Sequence, residues 1–343
     1  MSSKAPTLAT LVASAEWLPH QLDVAGRRVL FVRLAAAEIR AASFLDERVL
    51  TGTREGAWVP LAELLAALAP RPRAAPHVIF HVGHCGSTLV ANLLERLPGA
   101  IAMREPLALR ALAELAEELP RASTRLDEAR WQTLTDALLA LYARPHDGAH
   151  VVVKATSSCN ALIEPWLAQH PGTRALLVSI ALEPYLATIL KSPAARADAL
   201  RFAPARLEAL HRVVGDDGVR LPVLADAEQI ALGWLAEQAR FAAAKARFGA
   251  RVARLDFAEL LRDGAAGFAR IAAHFGFAGD DAALARAWHP DVLGRYAKAR
   301  DHAYSPDDRE ADLAEARRRH GDEIAAGLAF AATLRERYAS LPR

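Results

Sequence analysis

Cysteine is nearly absent. Two in 343 residues, Cys85 and Cys159, cannot make a disulfide framework, and this fits a reducing compartment. No apolar run reaches the length of a membrane span. The first residues, MSSKAPTLATLVASAEW, lack the charged start and continuous apolar stretch of a signal peptide. A cytoplasmic protein with no membrane partner is expected. Surplus charge is lacking too: 42 Lys and Arg against 40 Asp and Glu leave a formal net charge of +2. That gives no general electrostatic reason to bind nucleic acid, and the one dense basic run, Arg317 to Arg319, lies in a helical pattern that reads as a solvated face. There is no HExxH and no CxxC. His77 and His81 share a strand face, but a third ligand, His84, falls inside a turn, so no metal is expected. Ser87 lacks the flanking glycines of a hydrolase elbow. Apart from an alanine bias there is no repeat or low-complexity tract. With 52% hydrophobic and 24% charged residues, the chain is globular and can bury a large core, as one α/β domain with or without an appendage.

What is present centres on residues 77 to 106, HVIFHVGHCGSTLVANLLERLPGAIAMREP. Val78, Ile79, Phe80 and Val82, bounded by Pro76 and Gly83, read as a buried strand. Gly83-His84-Cys85-Gly86 reads as a turn, with Ser87 and Thr88 as caps of a helix whose leucines recur until Pro98-Gly99 stops it. A strand, glycine turn and helix in this order aim backbone N–H groups and the positive end of a helix dipole at one point, where a phosphate or sulfate oxyanion is stabilised. Gly86 is followed by Ser87 and not by the lysine of a Walker A loop, which counts against an ordinary ATPase or GTPase. Cys85, at a helix start, is either a low-pKa nucleophile or a small residue that shapes the turn; the second reading is favoured.

Around this stretch the chain reads as two parts. Residues 1–72 carry a candidate strand at Val29 to Leu34, a second at Arg48 to Leu50, and helices near Ala36 to Ala42 and Leu61 to Leu68. A proline-punctuated connection then leads to a domain spanning 76–343. Beyond Pro106 two helices are expected, broken around Leu119 to Leu126. His150 to Lys154 reads as a buried strand ending in a lysine, with Thr156, Ser157 and Ser158 as caps for a helix from Asn160 to Gln169. Ala175 to Ile180 is a third strand and Arg251 to Phe257 a fourth, with one long helix, Leu224 to Phe248, between them. The βαβ order makes the sheet parallel, and ligands then sit beyond the carboxyl ends of strands, where both the Gly83 turn and Lys154 fall. Trp234 reads as core, and a last helix is expected from Asp312 to Tyr338.

The run F-H-V-G-H-C-G-S-T-L, followed by a helix and Arg104-Glu105-Pro106, resembles the 5′-phosphosulfate loop of the PAPS-dependent sulfotransferases, particularly the bacterial and tyrosylprotein-type branch. The resemblance extends from about Pro76 to Phe277. It implies a P-loop-like parallel sheet flanked by helices, here with a small N-terminal α+β appendage that the resemblance does not cover. It implies that Gly83, His84, Cys85, Gly86, Ser87 and Thr88 cradle the donor and that Glu105 is the catalytic base. His84 stands where the family usually has Lys or Arg. Thr188 matches a serine that binds the 3′-phosphate, while the arginine of that site falls on Ile180, leaving Lys191 or Arg196 to supply the charge. A hydroxyl bonded back into its own helix is the competing reading of Thr188. Lys298 and Arg300 match a late basic loop that closes over the nucleotide.

Three functions follow as expectations. The first is sulfuryl transfer from PAPS, without a metal, to a hydroxyl or amine of a small molecule or peptide, with Glu105 as base, His84 and Lys154 stabilising the donor, and positioning and electrostatics supplying most of the rate. The second is a nucleotide-binding module of the same fold without turnover. The third is a small-molecule kinase using ATP and Mg²⁺.

Overall fold

A computed structural model describes residues 5–69, 74–277, 280–295 and 303–342. Within them, β1 (Trp17–Asp23), β2 (Arg28–Arg33) and β3 (Gly56–Pro60) form an antiparallel sheet in that order. The next five strands are β4 (His77–His81), β5 (Ala100–Arg104), β6 (His150–Lys154), β7 (Ala175–Ser179) and β8 (Val252–Asp256), and they make a second sheet in the order β5-β6-β4-β7-β8. β6 pairs in parallel with β4, Ile79 opposite Lys154, and with β5, Arg104 opposite Lys154. The expected α/β architecture, a parallel sheet with helices between its strands plus a small antiparallel sheet, is therefore what the chain adopts.

Several local expectations are corrected. The parallel sheet has five strands and not four: β5 is fully buried, yet Ala-Ile-Ala-Met-Arg carries a single β-branched residue and gives little strand signal. Arg48 to Leu50 is not a strand. Glu47–Val49 is a 3₁₀ turn, because the Asp46 carboxylate accepts from the Arg48 N–H at 3.2 Å and so caps it. The helix expected from Asn160 begins as a 3₁₀ segment, Ser157–Leu162, before Ile163–Gln169. The last helix starts earlier, at Pro306, with Ser305 and Asp308 bonding each other's backbone N–H in a capping box, and is interrupted at His320. No helix among the described residues is long and apolar enough to cross a membrane.

By contacts the chain divides into two compact units, residues 1–80, 88–176 and 268–289 in one, and 81–87, 177–267 and 290–343 in the other. In the first, the N-terminal residues are tied to later ones by buried and half-buried polar bonds. The Arg144 guanidinium donates to the carbonyls of Leu11, Ser14 and Trp17, and the Tyr142 hydroxyl to that of Pro19. Arg104, 1% exposed, donates to the carbonyls of Ile39, Arg40 and Ala42 and faces Glu95 at 3.0 Å. The fork geometry of guanidinium suits such a convergence of carbonyls. Replacing Arg104 by Met removes the cation facing Glu95 and strands three carbonyls. Chemical denaturation is expected to show a loss of about 3–5 kcal/mol, the usual cost of breaking a buried charge pair from one side; a loss within experimental error would mean that water replaces the guanidinium. In the second unit, Trp234 is core as expected: it is buried and its indole N–H donates to Ile180 O at 2.9 Å.

Candidate functional site

The turn after β4 needs backbone conformations that side chains resist. Gly83, His84 and Gly86 all have positive φ, at 93°, 49° and 76°. For the glycines this is free, whereas for His84 it costs on the order of 1–2 kcal/mol. Buried His81 fixes the start of the turn by accepting the Gly83 N–H on Nδ1 at 2.9 Å. The Cys85 thiol is 1% exposed and donates to Val178 O at 3.3 Å, so it fills the turn's inner side and does not present a nucleophile. Gly86 is fixed from outside the turn: a Cβ there would lie 2.1 Å from the ring of Phe257. Phe257, the first residue after β8, is the turn's backstop, and the sequence offered no hint of it. Ser87 and Thr88, both buried, open the helix Ser87–Leu94, while the His84 side chain is exposed.

In the first unit, β5 ends at Arg104 and Glu105 takes the left-handed φ of 55°, held there by its N–H donating to Lys154 O at 2.7 Å. The side chains of the two sequence-predicted residues meet. Lys154, 1% exposed, donates to Glu105 Oε1, and its ammonium lies 5.6 Å from the centre of the Phe44 ring. The other carboxylate oxygen, Oε2, faces Arg110 Nη2 at 3.5 Å and the Thr156 hydroxyl at 3.5 Å. Arg110 also donates from Nε to Thr156 Oγ1 at 3.2 Å and lies 3.8 Å from Asp46 Oδ2. Thr156, expected to cap the following turn, makes no capping bond; its hydroxyl turns to this cluster. Burial pushes the Asp46 carboxyl up, but hydrogen bonds from Arg48 and the charges of Arg48 and Arg110 outweigh it and hold the group below its ordinary range. Nearby Cys159 is fully buried, and burial raises its thiol to about 12, so it stays protonated. Arg110, Asp46 and Phe44 were missed by sequence reading. Arg110 alone had a signal, in the first turn of the helix directly after Glu105-Pro106.

The residues expected at a 3′-phosphate site are occupied within the second unit. The Thr188 hydroxyl donates to Pro184 O at 2.8 Å, back into its own helix. Lys191 is paired with Asp312 at 2.7 Å, and Arg196 with Asp226 and Glu323 at 2.7 Å each. Lys298 and Arg300 lie outside the described residues. Among the described residues no group of His, Cys, Asp and Glu side chains could hold a metal ion.

Chemically, the turn joins its left-handed residues to the start of the helix Ser87–Leu94, and the Glu105 cluster offers a carboxylate with cations on both oxygens. No family model matches the chain, and no curated protein sequence does. Solved structures do align with it. A sulfotransferase domain from the curacin biosynthetic pathway aligns at 11% identity with a TM-score of 0.42, covering 77% of this chain and 98% of that one. Sulfotransferase STF9 from Mycobacterium avium aligns at 16% identity and 0.38, covering 74% and 80%. A sulfotransferase from Alicyclobacillus acidocaldarius aligns at 14% identity and 0.33, covering 76% and 96%.

Proposed function

We propose that this protein is a PAPS-dependent sulfotransferase acting in the cytoplasm on a hydroxyl or amine of a small molecule or peptide. The observation that carries the reading is the turn of residues 83–88: three left-handed residues closing onto a helix start, braced by Phe257, with no lysine after Gly86. A glycine turn that runs into a helix start suits a tetrahedral oxyanion. In the reaction, the acceptor heteroatom forms a bond to sulfur as the bond from sulfur to the bridging phosphate oxygen breaks. The electron pair leaves with PAP, and Glu105 takes the acceptor's proton. Lys154 beside it supplies positive charge, and His84 at the exposed crest of the turn takes the place of the family's Lys or Arg.

A second reading has an observation in its favour. Glu105 is already paired with Lys154, and Thr188, Lys191 and Arg196 are all engaged by neighbours, which suits a nucleotide-binding module without turnover. Calorimetric titration with PAP, PAPS and ATP, followed by a PAPS consumption assay across hydroxyl and amine acceptors, separates the two. The transferase reading expects PAP and PAPS to bind, ATP to bind more weakly, and PAPS to be consumed. Binding without consumption favours the module, a preference for ATP favours a kinase, and no binding removes all three.

The turn histidine gives a pH test. If protonated His84 stabilises the departing oxygen, turnover falls as rising pH removes the imidazole's proton, because the active form is the one that carries it. The fall is expected to vanish in His84→Lys. An unchanged profile would show that the proton lies elsewhere.

A further inference from the structure

We infer that Arg110 is the positioning residue for Glu105, and that the N-terminal segment sets it through Asp46. The inference takes its meaning for turnover from the sulfotransferase reading, but the geometry behind it does not depend on that reading. A base must present one oxygen to the proton it takes, in a fixed direction. Lys154 holds Glu105 Oε1, which leaves Oε2 to swing unless something else restrains it. Arg110 and Thr156 are the groups that face it.

Arg110 is itself aimed by three contacts on one rigid plane: Thr156 at Nε, and both Glu105 and Asp46 at Nη2. A planar guanidinium held at several points cannot rotate, as a lysine ammonium could. Its side chain is 31% exposed against 1% for Lys154, so of the two cations on the carboxylate Arg110 is the one that solvent reaches.

Asp46 is in turn fixed. Arg48 donates to both its carboxylate oxygens, at 2.7 and 2.5 Å, and the Arg48 guanidinium stacks 4.2 Å from the Phe44 ring centre. Between them, Leu45 bonds both sides of Glu105 through the backbone: its N–H donates to Arg104 O at 2.6 Å, and its carbonyl accepts from the Leu107 N–H at 3.2 Å. Residues 44–46 thus lie against residues 104–107, with Phe44 on Lys154 and Asp46 on Arg110. Among the described residues, the charged and titratable groups around Glu105 include Lys154, Arg110, Arg48, Asp46 and the Cys159 thiol. The N-terminal part, which the family resemblance leaves uncovered, is on this reading the mount of the catalytic carboxylate.

The test uses the full chain with Arg110→Met, Arg110→Lys and Asp46→Asn. Misplacing a reacting group by about 1 Å can cost about 100-fold. Arg110→Met is therefore expected to lower kcat by about 10- to 100-fold with PAP affinity unchanged, Arg110→Lys to recover part of the loss, and Asp46→Asn to fall between them. Loss of kcat and PAP affinity together, equally in Met and Lys variants, would make Arg110 a mere structural brace and overturn the inference, as would unchanged kcat in Arg110→Met. A second measurement is independent of turnover: a thermal-unfolding double-mutant cycle of Asp46→Asn and Glu105→Gln. Non-additive shifts are expected, since both residues act on Arg110; additive shifts overturn the coupling. A wild type that never consumes PAPS removes the sulfotransferase reading alone, and the cycle still decides this one.

Discussion

Glu105→Gln is expected to lower turnover by roughly two to four orders of magnitude, the usual size of general-base catalysis, while PAP affinity stays the same. The amide keeps the shape of the side chain and can still accept a hydrogen bond from Lys154, so the turn proposed to take the nucleotide should not feel the change. Stability will feel it. Lys154 is 1% exposed, and removing the carboxylate leaves a buried ammonium without its counter-charge, at a cost of about 3–5 kcal/mol. A second variant separates the two losses: Glu105→Gln combined with Lys154→Met removes the whole pair and should regain much of the stability without regaining turnover. If turnover returned with stability, the loss in Glu105→Gln would have been one of folding and Glu105 would not be the base.

The second large effect is expected at Gly86. Gly86→Ala meets two obstacles at once: a φ of 76°, and a Cβ 2.1 to 2.4 Å from three ring carbons of Phe257. The left-handed backbone costs on the order of 1–2 kcal/mol and overpacking about 1–3 kcal/mol more, and the strain is released most directly by moving the turn. PAP affinity, measured by calorimetry, should fall by about 100-fold or more, equivalent to about 2.7 kcal/mol. Adding Phe257→Leu relieves the overlap but not the backbone, so it should restore part of the affinity. Full affinity in Gly86→Ala alone would place the anion elsewhere.

How far the sequence could be read depended on the range of the interaction that decided each feature. β4, its turn and the helix after it were legible, because Val78 to Val82, the paired glycines and the leucine spacing are local signals. β6, β7 and β8 were legible for the same reason. β5 was not, since its strand character comes from pairing with β6 and burial, not from Ala-Ile-Ala-Met-Arg. Glu105 and Lys154 were each singled out, but their pairing is set by the register that puts Arg104 opposite Lys154, and register is not written in either segment alone. Phe44, Asp46 and Phe257 left no trace because the residues they meet at these sites, Lys154, Arg110 and Gly86, lie about 60 to 170 positions away. Nothing in the sequence marks Arg104 as buried, since arginine is rarely buried unless paired, and only the structure reveals the carbonyls around it.

The strand order also fixes when the parallel sheet can begin to form on a ribosome. Among the described residues, β4 is an interior strand whose neighbours, β6 and β7, both come later in the chain, and β5 is an edge strand paired with β6. No pair of the parallel sheet can form before Lys154 has been made, 73 residues after His81. At roughly 5–20 residues per second this is a wait of about 4–15 s. The antiparallel sheet, complete by Pro60, has no such delay. During the wait the apolar segment Val78-Ile79-Phe80 is without a strand partner, and an unpaired apolar strand is prone to aggregate.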